Sequence, residues 1–163
     1  MLPRHPDLPE GWFDRRHLRR LNRIWTNDPI FFITTCQRHW RPILHRPPLV
    51  HAILECLAEA RERCGWLIGA YVVMPDHVHF LCRPVGEVET LNDFLARFKS
   101  RATRSWWSVG GTGRLWQRES FEHLLRSNEA YGEIREYIRQ NPVEAGLCAQ
   151  PEEWPYVGDM DAF

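Results

Sequence analysis

The sequence contains few cysteines, and no two of them have the spacing of a metal-binding pair. The five are Cys36, Cys56, Cys64, Cys82 and Cys148. An odd number of cysteines without a CxxC pair argues against a disulfide framework and against a cysteine-based zinc site. We therefore expect a reduced, cytoplasmic protein.

Long apolar runs are also absent. The longest mainly apolar run, residues 66–74, is far too short to span a bilayer. The Pro- and Arg-rich first residues lack the apolar core of a secretory signal. We therefore expect no membrane segment. At 163 residues, of which 44% are hydrophobic, the chain is predicted to form a single domain over 1–163 with a sizeable core.

Lysine is nearly missing, since Lys99 is the only lysine among 21 basic residues, and the net charge is zero. The charge is nevertheless unevenly distributed. Residues 1–118 hold 18 basic and 11 acidic residues, whereas residues 119–163 hold 3 and 10. Arginine binds phosphate through two hydrogen bonds and stacks on bases, which favours nucleic-acid contact. A GC-rich genome, which replaces lysine by arginine, explains the composition equally well.

Two arginine clusters are candidate DNA-binding surfaces. The first lies in a basic N-terminal arm over residues 1–28 and consists of Arg15, Arg16, Arg19 and Arg20. The second lies on one face of a predicted helix and consists of Arg97, Arg101 and Arg104. For both clusters, a solvated surface without a ligand is the alternative interpretation.

Hydrophobic periodicity predicts seven elements in the order β-α-β-β-α-β-α. The strands are predicted at 29–37, 66–73, 77–83 and 114–121, and the helices at 47–64, 90–109 and about 127–140, the last ended or kinked before Pro142. The tight connection between the second and third strands requires an antiparallel hairpin. We predict an α+β fold, a ferredoxin-like split βαβ with an antiparallel sheet and its crossover helices on one face.

The C-terminal residues 149–163 are acidic and contain two prolines. We expect them to form an extended tail. Two interpretations of this tail stay open, a solvated segment and a segment that folds back over a cationic DNA groove.

The most distinctive stretch is YVVMPDHVH at residues 71–79. Alternate residues of a strand point to the same side, so His77 and His79 share one face while Val78 points to the other. Two imidazoles on a rigid strand can hold a divalent metal. Satisfied core histidines are the alternative.

The last predicted helix carries a second pair of polar side chains. Tyr137 and Asn141 are four residues apart and therefore share one helical face. A tyrosine hydroxyl is a possible nucleophile, and an amide oxygen suits Mg²⁺ or Mn²⁺. If this helix packs on the uncovered face of the sheet, it brings both groups to His77 and His79. Such a set of groups supports metal-assisted chemistry on phosphate. Simple packing of the tyrosine is the alternative.

Three blocks together resemble a known family. YVVMPDHVH at 71–79, LWQ at 115–117 and YIRQNPVEAGL at 137–147 are similar to the signature blocks of the single-tyrosine HUH transposases, and most similar to those of the REP-associated tyrosine transposases of bacteria. The resemblance extends over about residues 29–154. It implies that His77, His79 and Asn141 bind Mg²⁺ or Mn²⁺. It also implies that Tyr137 attacks a DNA phosphate, leaving a 5′-phosphotyrosine and a free 3′-hydroxyl.

The resemblance further implies the substrate, which is single-stranded DNA with palindromic, REP-like hairpins. It leaves open whether the protein is a monomer or a homodimer. Asp76 adjoins the first histidine and is a candidate partner that orients an imidazole, although the family more often has Asn there. A histidine-triad nucleotide hydrolase is a weaker alternative, because residue 81 is Leu where the third histidine would stand. A catalytically inactive hairpin-binding protein is the other alternative.

Overall fold

The structure is a computed structural model that describes residues 29–86, 88–125 and 128–163. An antiparallel sheet of five strands lies at its centre. The strands are β1 Phe31–Cys36, β2 Trp66–Val73, β3 His77–Pro84, β4 Phe121–Leu124 and β5 Val157–Asp159. Their order across the sheet is β4-β1-β3-β2-β5, and each neighbouring pair is antiparallel. The first four strands therefore have the predicted ferredoxin-like arrangement, and β5 extends it at one edge.

The helices connect these strands. They are α1 Leu49–Ala58, α2 Ala60–Cys64, α3 Leu91–Ser108 and α4 Asn128–Glu144. The helix predicted at 47–64 is thus divided in two, and it ends at Gly65, whose φ of 71° forms the left-handed cap that glycine favours. Thr90 caps α3, since its side chain accepts a hydrogen bond from the backbone N–H of Asp93. In the part of the chain that the structure describes, no helix has both the length and the apolar character needed to cross a membrane.

Alternation along β3 divides the interior into two apolar layers. Val78 and Phe80 point into the layer that α1 and α3 cover, so the crossover helices share one face, as predicted. Leu81 points into the layer that α4 covers. Ile134 and Ile138 of α4, 3% and 0% exposed, pack into this second layer. An amphipathic helix buries its apolar stripe, and this is the packing that brings α4 onto the face carrying the histidines.

Two predicted boundaries are wrong. Residues 114–120 do not form a strand. Trp116 makes only an isolated bridge to Gln37. Likewise, α4 does not end before Pro142 but continues to Glu144. Proline removes a single backbone N–H, and the last turn is held by the Ala145 N–H, which donates to the Asn141 carbonyl.

The expectation of an extended acidic tail at 149–163 is also wrong. Residues 157–159 form β5, which pairs with β2 and covers what would otherwise be an open sheet edge. The Trp154 Nε1 donates to the Val73 carbonyl at 3.0 Å, and Asp161 accepts from the backbone N–H of Ile68 at 2.9 Å. Part of the acidic charge is therefore used in structural contacts with the sheet.

We expect Trp154→Phe to lower the free energy of unfolding by about 0.5–1.5 kcal/mol. The substitution keeps an aromatic ring but removes the N–H that satisfies the Val73 carbonyl. Trp107→Phe is the matched control, because its Nε1 also donates to a carbonyl, that of Gly113, but the residue is 54% exposed and water can replace the bond. Urea unfolding followed by circular dichroism measures both variants. Equal losses in the two variants would contradict the role assigned to Trp154.

Candidate active site

The hairpin between β2 and β3 presents the two histidines side by side. His77 lies opposite Cys36 of β1, and His79 lies opposite Thr34. Their ring centroids are 4.5 Å apart, and the two residues are only 3% and 0% exposed. The prediction that both imidazoles share one face of the sheet is therefore confirmed. Leu81, the next residue on that face, is fully buried in the α4 layer, so the position of a third histidine belongs to the core.

Each imidazole is held at its Nδ1 atom. His77 Nδ1 lies 2.7 Å from Asp76 Oδ1, and His79 Nδ1 lies 2.8 Å from Thr34 Oγ1. A carboxylate oxygen can only accept here, so His77 donates from Nδ1 to Asp76, and its Nε2 is turned toward Asn141. Partners of this kind orient metal-binding imidazoles. Asp76 thus occupies the orienting position predicted for it. Thr34 is a further residue of the site, one that the sequence analysis does not identify.

Helix α4 brings Tyr137 and Asn141 to the same place. Asn141 is 2% exposed, and its Oδ1 lies 3.2 Å from His77 Nε2. The Tyr137 ring is half-buried, with its centroid 5.5 Å from that of His79 and 6.1 Å from that of Phe32. The predicted meeting of the helix pair with the histidine pair is confirmed, and it occurs within a single copy of the chain.

Two candidate donor atoms are close enough to share one divalent cation. His77 Nε2 and Asn141 Oδ1 lie 3.2 Å apart. Ligands of Mg²⁺ lie about 2.1 Å from the ion, so adjacent ligands of an octahedral site are about 3 Å apart. Within the described ranges, no group of three His, Cys, Asp or Glu side chains could hold a metal. A site here therefore needs the amide oxygen of Asn141.

Cys36 lies next to the candidate site but is unsuited to nucleophilic chemistry. Burial, with a smaller contribution from the charge of Asp76, raises the pKa of its thiol to about 12. The thiol is therefore protonated at neutral pH, and only a thiolate attacks readily. Tyr137 remains the candidate nucleophile.

The structure separates the arginines predicted to bind DNA. Arg97 forms an ion pair with Glu89, and Arg101 forms ion pairs with Glu55 and Glu59 of the neighbouring helix segments. Their charges are thus largely engaged within the protein. Arg104 donates to the hydroxyl of Ser100, on its own helix, and forms no ion pair among the described residues. A DNA-binding role for this helix face stays a prediction. Outside the described residues lie the four arginines of the N-terminal arm, Arg15, Arg16, Arg19 and Arg20.

Fold and site together define a class of protein. It is a ferredoxin-like α+β protein in which a tyrosine- and asparagine-bearing helix covers a strand with two alternating histidines. The model of the family "Transposase IS200 like" matches residues 30–141, more than half of the chain. The protein therefore belongs to the IS200-like transposase family.

Individual relatives agree with this assignment. The chain is 31% identical over 109 residues to a REP-associated tyrosine transposase of Escherichia coli (strain K12), covering 66% of this chain and 61% of that protein. It is 27% identical over 100 residues to a putative REP-associated tyrosine transposase of Haemophilus influenzae, covering 53% and 55%. The matches thus span less than two thirds of the length of these curated relatives.

Two solved structures share the fold. A REP-associated tyrosine transposase bound to a REP hairpin superposes with a TM-score of 0.69 and 23% identity, covering 91% of this chain and 95% of that one. A putative transposase from Deinococcus radiodurans superposes with a TM-score of 0.52 and 20% identity, covering 71% and 92%. The ferredoxin-like architecture is therefore shared across both.

We expect Thr34→Val to lower the free energy of unfolding by about 1–3 kcal/mol, because it removes the buried partner of His79 Nδ1. Thr35→Val is the matched control. Thr35 is fully buried on the opposite face of the same strand, and its hydroxyl has no hydrogen-bond partner among the described residues. Its loss should be neutral or stabilising. Chemical denaturation of both variants checks this, and a larger loss for Thr35→Val would refute the assigned contact.

Proposed function

We propose that the protein is a metal-dependent endonuclease and strand transferase that acts on single-stranded DNA through a 5′-phosphotyrosine intermediate. The observation that carries this proposal is the convergence of α4 on β3. One helix places a tyrosine hydroxyl and an amide oxygen beside two buried imidazoles whose Nδ1 atoms are already held. A purely structural histidine pair would not require this combination of groups.

In the proposed reaction, Tyr137 is the nucleophile. Its oxygen forms a bond to the phosphorus, the bond from phosphorus to the 3′-oxygen breaks, and the leaving oxygen gains a proton to become a 3′-hydroxyl. The tyrosine gives up its proton as it attacks. Because one phosphoester replaces another, the energy of the DNA linkage is kept, and the reverse attack by a 3′-hydroxyl rejoins strands. The contacts of the Tyr137 ring with Phe32 and His79 orient the hydroxyl.

We further propose that His77, His79 and Asn141 hold Mg²⁺ or Mn²⁺. When bound, such an ion withdraws charge from a non-bridging phosphate oxygen and so favours attack at phosphorus. Asp76 and Thr34 keep the Nδ1 atoms engaged, which directs each Nε2 toward the site. Asn141 lies on the same helix as Tyr137, so the proposed metal ligand and the proposed nucleophile keep the same position relative to each other.

The proposed substrate is DNA with hairpin-forming, REP-like repeats. Family membership and the names of the curated relatives support this choice, as does the solved relative described as bound to a REP hairpin.

Tyr137→Phe should abolish the covalent protein–DNA adduct while leaving hairpin binding intact, since only the nucleophilic oxygen is removed. The measurement uses single-stranded oligonucleotides containing the palindromes that flank the gene, incubated with Mn²⁺ and separated on a denaturing gel. Tyr131→Phe is the control, because it removes the hydroxyl of another tyrosine on the same helix. This variant should still form the adduct. Tight binding by the unaltered protein with no adduct on any hairpin would instead indicate an inactive hairpin-binding protein.

Removal of a proposed ligand should weaken Mn²⁺ binding, measured by electron paramagnetic resonance of the free ion. We expect His77→Ala and Asn141→Ala to raise the dissociation constant at least tenfold, and Asp76→Ala to raise it about 10–100-fold through loss of the orienting hydrogen bond. Asp93→Ala removes an exposed carboxylate at the start of α3 and should change nothing. Undiminished Mn²⁺ binding by the ligand variants would place the metal elsewhere.

A further inference from the structure

A basic groove lies on the α3 side of the sheet and is not used by the chemistry proposed above. It is formed between the second half of α3 and residues 113–118, and its volume is about 840 Å³. We call it the α3 groove. Its charged lining residues are all basic and consist of Lys99, Arg104, Arg114 and Arg118. Glu119 and Glu122 lie close enough to Lys99 to raise its pKa slightly, against the dominant lowering by burial.

The arginines of the groove differ from those elsewhere on α3. Arg97 and Arg101 are held in ion pairs with glutamates. Arg104, Arg114 and Arg118 are exposed and form no ion pair within the described part of the chain. An exposed guanidinium without an acidic partner keeps its full capacity for a phosphate contact. The groove therefore holds three arginine charges, one from α3 and two from the following segment, that remain available to an anionic chain.

An oriented indole forms one wall of the groove. Trp107 is 54% exposed, yet its Nε1 donates to the Gly113 carbonyl at 2.9 Å. The loop carrying that carbonyl is itself held against Trp106, so closely that a Cβ at Gly111 would come within 2.0 Å of the Trp106 ring. The indole thus has a fixed orientation and an exposed surface, as stacking platforms for unpaired bases do.

The other end of the groove reaches the end of β1. Gln117 lines the groove, and its backbone N–H donates to the Cys36 carbonyl at 2.9 Å. Lys99 donates to the carbonyls of Gln117 and Arg118 and so holds this segment against α3. A chain lying in the groove would therefore pass from Trp107 to the end of β1, on the α3 side of the sheet, while the histidines lie on the α4 side.

We propose that the α3 groove binds a single-stranded segment of the DNA substrate outside the hairpin stem. One unpaired base stacks on Trp107, and the three exposed arginines bind successive phosphates. Unpaired DNA is the occupant that this lining fits, because bases within a duplex do not present a free face to an indole. The inference rests on the proposed function, since it takes single-stranded DNA as the substrate.

Photo-cross-linking locates the strand directly. Hairpin oligonucleotides with a single-stranded flank carry one iodouracil, moved through each flank position, and are bound to the Tyr137→Phe protein so that no cleavage is needed. Mass spectrometry should find Trp107 cross-linked from one or two adjacent positions. Cross-links confined to other residues, or absent despite binding, would overturn the proposal, and so would a failure of the protein to bind the flanked hairpin at all.

Binding measurements test the same groove with variants. Trp107→Ala and Arg104→Gln should each weaken binding of the flanked hairpin about fivefold or more, and leave binding of a flankless hairpin unchanged. Arg61→Gln removes an equal charge from α2, outside the groove, and is the control. Equal weakening by Arg61→Gln would show a nonspecific charge effect and overturn the assignment. Circular dichroism confirms that each variant is folded.

Two further comparisons separate this inference from the catalytic proposal. If the unaltered protein forms the adduct but no Trp107 cross-link is found, the proposed DNA binding in the α3 groove is contradicted while the proposed function is supported. A Trp107 cross-link without any adduct would support the groove while the proposed chemistry fails. A flank made of RNA that binds through Trp107 as tightly as DNA would overturn the assignment to DNA.

Discussion

The register between β1 and β3 is the constraint on which the rest of the structure depends. Val78 and Phe80 must point into the layer below α1 and α3, because both are fully buried there. The alternation of the strand then forces His77 and His79 onto the opposite face. A shift of one residue would exchange the two sets, placing the imidazoles in the larger core and Val78 and Phe80 in the site. The packing of the larger core thus enforces the position of the candidate site.

The second face is equally constrained, but by a helix. Ile134 and Ile138 anchor α4 over the sheet. Tyr137 and Asn141, each three residues after one of these isoleucines, are thereby directed at the histidines. Helix and strand each contribute two groups, and neither element alone makes a site. The same face gains its outer edge from β5, which pairs with β2. Asp159 of β5 forms an ion pair with Arg135 of α4, and Asp161 accepts a hydrogen bond from the backbone N–H of Ile68. The surplus of acid in the last part of the chain is therefore partly structural.

The arginines of α3 have two different environments, which their spacing along the helix does not reveal. Arg97 and Arg101 face glutamates on the loop and the helices that precede them, whereas Arg104 faces the groove. Three arginines on one predicted face thus have two different environments. A periodic pattern identifies which side chains share a face, but the partners opposite that face come from elsewhere in the chain.

The sequence by itself determined the pairs of groups and the topology. Period-two alternation placed His77 with His79, helical spacing placed Tyr137 with Asn141, and the tight turn between β2 and β3 required an antiparallel hairpin, because these relations are local. Only the tertiary structure decided which residues of different elements come into contact. Thr34 joined the site through strand register, residues 157–159 became an edge strand, and residues 113–118 became a groove wall. Such contacts depend on packing between residues far apart in sequence, which no local periodicity records.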